Sequence, residues 1–122
     1  MWTSEGRAVS DQVLVVCDDL FFWARIEGMA RSLGRTVVRV TGEEAMEQEW
    51  HRGAPRRILA DLGSRSVDVI RWASRWKARD APPEIIGFVS HVDVETQERA
   101  RGAGFDRVLS NSSFTRSLAE LL

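Results

Sequence analysis

The sequence predicts one α/β domain built on a parallel sheet. Three observations carry that prediction. Apolar runs too short for helices recur at Val13-Leu14-Val15-Val16-Cys17, Ile58-Leu59-Ala60 and Ile85-Ile86-Gly87-Phe88-Val89, as strands buried on both faces do. Stretches with helical spacing separate them, so each connection crosses over and helices cover both faces of the sheet. Each run also ends in polar residues: Asp18-Asp19, Asp61, Ser90 and, after Val108-Leu109, Ser110-Asn111.

The first strand spans about Gln12 to Cys17 and leads into a helix with Asp18 or Asp19 as N-cap candidate. Phe22, Ile26, Met29 and Leu33 repeat at helical spacing, and Gly34 is placed to end the helix. Thr36 to Val40 is rich in β-branched residues and reads as a second, peripheral strand. Thr41-Gly42-Glu43-Glu44 has the capping-box pattern for a helix to about Trp50, which Gly53-Ala54-Pro55 ends. Arg57 to Asp61 is the third strand, followed by the loop Leu62-Gly63-Ser64-Arg65. From Ser66 a helix places Val69, Trp72, Ala73 and Trp76 on one face. Its Arg71, Arg75, Lys77 and Arg79 read as a solvated side, and Asp80-Ala81-Pro82-Pro83 breaks it.

Ile85 to Val89 is the most apolar run and belongs at or near the sheet centre. Asp93 is placed to cap a fourth helix to about Gly102. Ala103-Gly104-Phe105-Asp106 turns the chain, and Arg107 to Leu109 is a short fifth strand. Ser112 or Ser113 is the cap candidate of a last helix striped with Phe114, Leu118 and Leu121. Five strands alternating with five helices in a 122-residue chain fit the flavodoxin-like, doubly wound order 2-1-3-4-5. The domain is expected over 12–122, with 1–11 as a flexible N-terminal lead.

Composition narrows the function classes. A formal net charge of -1 argues against a nucleic-acid binder, which would be distinctly basic. The single cysteine, Cys17, excludes an internal disulfide framework and suits a reducing cytosol. No apolar run approaches the ~20 residues that span a bilayer, and the start lacks the apolar stretch of a secretory signal. A cytoplasmic location is the expectation.

In such folds the carboxyl ends of the strands open at one edge, where sites lie. Asp18, Asp19 and Asp61 would gather there and repel one another unless neutralised. Mg²⁺ answers that need, with these three acids as candidate ligands. One carboxylate can instead attack phosphorus to form an acyl phosphate, with Ser90 bonding the new phosphoryl oxygens. A lysine or arginine is then expected to balance the added charge. No glycine-rich phosphate loop follows the first strand. His91 points to the opposite face from Ser90, and His51, His91 and Cys17 lack metal-ligand spacing. No acid–base pair suggests an enzyme, and a small ligand-binding domain on the same fold stays open.

Val13 to Asp19, Leu59-Ala60-Asp61, Phe88-Val89-Ser90 and Ala103 to Leu109 followed by Phe114 resemble the receiver domain of two-component response regulators (CheY-like). The resemblance runs from about Gln12 to Leu122. It implies that Asp61 holds the phosphoacceptor position, Asp18 the metal-binding acid and Ser90 the switch hydroxyl. It also implies partner contacts through about 93–122, with a histidine kinase, an output domain or a second copy. Five departures stand against the family pattern. Cys17 stands where the family has its first acid, with Asp19 one residue late; Ser110-Asn111-Ser112 replaces the lysine after the fifth strand, with Asn111 at its position; the following proline is gone; and the fifth strand lacks its aromatic residue. Leu62-Gly63-Ser64-Arg65-Ser66 also replaces the usual turn after Asp61. The expectation is a degenerate, or pseudo-, receiver that signals by protein contact. The alternative is a phosphorylatable receiver with Asp61 as acceptor.

Overall fold

The computed structural model describes residues 12–122; the expected N-terminal lead, 1–11, lies outside the described residues. Five strands form one parallel sheet: β1 (Val13–Val16), β2 (Val37–Val40), β3 (Arg57–Asp61), β4 (Glu84–Val89) and β5 (Arg107–Ser110). Their order is β2-β1-β3-β4-β5, as the sequence predicts. The helices are α1 (Leu20–Ser32), α2 (Glu43–Arg52), α3 (Val69–Lys77), α4 (Val94–Ala103), α5 (Asn111–Arg116) and α6 (Leu118–Leu121).

Side-chain alternation along β1 divides the core in two. Val13, Val15 and Cys17 pack with Ile26 and Ala30 of α1 and with Phe114, Leu118 and Leu121 of α5 and α6. Leu14 and Val16 face the other way, toward Met46 and Trp50 of α2, Trp72 and Trp76 of α3 and Ala100 of α4. Burying each large side chain contributes roughly 1.5–3 kcal/mol. Phe88 and Phe114 stack at 3.9 Å on the first face, and Trp72 stacks on Trp76 at 6.1 Å on the second. In the middle of β4, a Cβ at Gly87 would come 2.9 Å from the Phe105 ring. Glycine is what lets that ring lie against the strand.

Several local expectations are corrected. The capping box at Thr41 does not form. Gly42 is the N-cap of α2, with no side-chain cap, and its N–H donates to Ser66 Oγ at 3.0 Å. Glu43 is drawn instead to the start of α3, accepting from Asp68 N at 3.0 Å and from Trp72 Nε1 at 2.5 Å. The last helix begins directly after β5: Ser110, not Ser112 or Ser113, is its cap and accepts from Ser113 N at 3.1 Å. It then breaks at Ser117, so six helices stand among the described residues where five were expected.

The basic row on and just after α3 is solvated at Arg71 and Arg75, which are exposed, but not at its end. Arg79 is 7% exposed. Its guanidinium lies 3.3 Å from the Trp50 ring centre and donates to the Trp50 carbonyl. Arg75 covers Trp72 and pairs with Glu47, while Lys77 pairs with Asp106. The guanidiniums of Arg75 and Arg79 cover tryptophan surface, which composition alone does not reveal.

Candidate functional site

Asp18, Asp19 and Asp61 meet at the carboxyl edge of the sheet, but each is used differently. Asp18 lies on the α3 side of β1 and reaches the loop after β3. Its Oδ1 accepts from Ser66 Oγ at 2.5 Å and Ser64 Oγ at 3.2 Å; its Oδ2 accepts from Arg65 N at 2.9 Å and Ser66 N at 3.1 Å. Burial works to raise its pKa, yet these four bonds to the charged form outweigh it and hold the carboxyl below its ordinary value. Asp19 is the N-cap of α1. Its Oδ1 accepts from Phe21 N at 2.8 Å and Phe22 N at 3.1 Å, which settles the choice between the two cap candidates.

Asp61 is half-buried, and its Oδ1 accepts from Gly63 N at 2.8 Å. Burial pushes its pKa above the ordinary value; the Gly63 bond works against that, and the charges of Asp18 and Asp19 add to it. Among the described residues, no cation figures among the groups acting on it. Cys17 is fully buried, and burial together with the Asp61 charge pushes its thiol up to about 11. It is a neutral thiol at physiological pH. Among the described residues, no group of three or more His, Cys, Asp and Glu side chains is arranged to hold a metal ion.

Ser90 and Asn111 sit at the same edge without joining the acids. Ser90 Oγ accepts from Val92 N at 3.4 Å, and its carbonyl accepts from Gln97 Nε2 and Asp93 N. This is a local hydroxyl-to-backbone arrangement at a strand end. Asn111 opens α5 and lines a groove of about 520 Å³ shared with Asp19, Phe21, Phe22, Arg25 and Arg116.

No family model and no curated protein sequence matches the chain. Solved structures do. A candidate response regulator from Chloroflexus aurantiacus is 19% identical with a TM-score of 0.78, over 90% of this chain and 92% of that one. The chain has the receiver fold. The receiver domain of a sensor histidine kinase from Pseudomonas aeruginosa, with magnesium coordinated in its active-site cleft, is 22% identical. Its TM-score is 0.73, over 92% of this chain and 97% of that one. A Burkholderia pseudomallei response regulator carrying a phosphorylated aspartic acid, calcium and citrate is 15% identical with a TM-score of 0.77. That match covers 93% of this chain and 66% of the other.

Within this receiver fold, sequence reasoning missed the residues that hold the edge together. Ser64 and Ser66, with the Arg65 N–H between them, are the donors to Asp18; the signal of the two serines was the hydroxyl-rich loop directly after Asp61. Arg39 of β2 donates to the carbonyls of Cys17 and Asp18, both at 3.1 Å. It lies 5.9 Å from the Trp23 ring centre. A lone arginine within a β-branched strand gives no pattern that would announce this. Among the described residues, no helix is long and apolar enough to cross a membrane.

Proposed function

We propose that this chain is a signalling module of receiver type that works through protein contacts rather than a normal aspartyl-phosphate cycle. The observation that carries the reading is the engagement of Asp18. All four of its bonds come from the loop after β3, so metal binding there would have to dismantle that loop. The rest of the donor set fits Mg²⁺ no better. Cys17 is a neutral, buried thiol, and Mg²⁺ takes oxygen ligands. Asp19 is committed to its helix. Asn111 hydrogen-bonds but brings no charge to offset the roughly two negative charges of a phosphoryl group.

Partner contacts are assigned first to about 93–122, the segment from the α4 cap to Leu122. The receiver domain of NtrC4 forms a dimer when activated with beryllofluoride, so a second copy is one occupant to test beside a histidine kinase or an output domain. A cytoplasmic location goes with this reading. The competing reading, Asp61 as phosphoacceptor, draws on the phosphorylated and magnesium-bound relatives.

Acetyl phosphate with Mg²⁺, followed by intact-mass measurement, separates the two. The expected result is no phosphate-sized gain. A gain that disappears in Asp61→Asn overturns the proposal. In parallel, Mg²⁺ titration followed by tryptophan fluorescence is expected to give no saturable change. Trp23 is the reporter, through Arg39, for movement at Cys17 and Asp18.

A further inference from the structure

We propose that the groove between the start of α1 and α5 binds a small aromatic carboxylate. It encloses about 520 Å³, within the ~300–1,000 Å³ of small-molecule sites. Phe21 and Phe22 supply ring surface, and Phe21 is 85% exposed. Arg25 and Arg116 supply charge, and both lack an acidic partner among the described residues. Arg25 makes no side-chain hydrogen bond or ion pair among the described residues. Arg116 donates to the neutral Ser113 Oγ at 3.2 Å. By contrast, Arg31, Arg52, Arg57 and Arg75 each pair with a glutamate. The one acid among the described residues of the groove, Asp19, is already occupied through Oδ1 by the first turn of α1.

Two guanidiniums against one carboxylate favour an anion, and planar guanidinium matches carboxylate geometry. The ring walls favour an apolar body over a bare inorganic ion. Asn111, with Ser112 and Thr115, adds neutral hydrogen-bonding groups. Asn111 is the position at which the receiver resemblance expects lysine. The groove therefore takes up the position at which the phosphoryl site lacks its lysine.

The test is two-dimensional amide NMR of the whole chain titrated with 3-phenylpropionate, 2-phenylethanol or inorganic phosphate. Saturable shifts confined to residues 20–25 and 111–116, with the carboxylate bound best, are expected. Arg25→Ala/Arg116→Ala should weaken binding at least about tenfold, and its own spectrum reports whether it is folded. Asp61→Asn should bind as the parent does. No saturation by about 10 mM, equal response to phosphate or phenylethanol, or unchanged affinity in the double variant each overturns the proposal. The mass measurement at Asp61 bears on none of these outcomes, so the two readings fail separately.

Discussion

At the carboxyl edge of the sheet, the side facing α3 is closed and the side facing α5 is open. On the α3 side, Asp18 is saturated by Ser64, Arg65 and Ser66, and Ser66 also receives the Gly42 N–H. On the α5 side, Asn111, Arg25 and Arg116 face a recess with little bonding between them. The comparison teaches that a charge cluster need not be neutralised by a counter-ion. Here one acid is stabilised by neutral donors, one serves a helix, and the third, Asp61, stays half-buried with a raised pKa.

The contrast breaks most visibly at Asp18. Asp18→Asn places an amide among donors, and the expected loss is about 1–3 kcal/mol in urea unfolding. Its partial exposure keeps the loss toward the lower end. Hydrogen exchange should quicken at Arg65 and Ser66 while the β4 amides stay protected; uniform quickening would contradict a local clamp.

Acid titration sharpens the same comparison, because Asp18 and Asp61 shift in opposite directions. The Asp18 contribution is present above its unfolded pKa of about 3.9. It is lost as pH falls through its lower folded value. The Asp61 contribution has the other sign: it is present below the unfolded pKa and lost as pH rises through the higher folded value. Asp61→Asn should therefore raise the melting temperature at pH 7, and the gain should shrink as pH drops toward 4. A gain independent of pH would show that repulsion and desolvation at Asp61 are not its source.

The smallest effect is expected on the open side. Phe21→Ala removes an exposed ring and should change stability by no more than about 0.5 kcal/mol. A larger loss in thermal unfolding would show that the ring supports the fold rather than lining an open groove.

The fold was legible because its signal is repeated. The runs of β1, β3 and β4 are apolar on both faces, and α1, α3 and the last helix carry apolar stripes, so strand order follows from alternation and handedness. Even the aromatic face of α3 and the αL turn at Gly34 could be read locally. The site was legible in position but not in state. That Asp18, Asp61, Ser90 and Asn111 lie at one edge follows from the strand ends. That Asp18 is already satisfied depends on the path of the loop after β3, which no periodicity encodes. Likewise, Thr41 had the pattern of a cap, yet Glu43 found better donors on α3 and the helix began at a glycine. Arg79 was misplaced in water for the same kind of reason. Its partner, the Trp50 ring, comes from a helix two elements earlier in the chain.

The Phe105 ring resting on Gly87 also constrains sequence change. A methyl group at 87 would occupy space the ring already fills, and close-packed interiors give way only at a cost. Descendants of this chain that keep the aromatic should keep the bare backbone opposite it, and the two positions should drift as a pair.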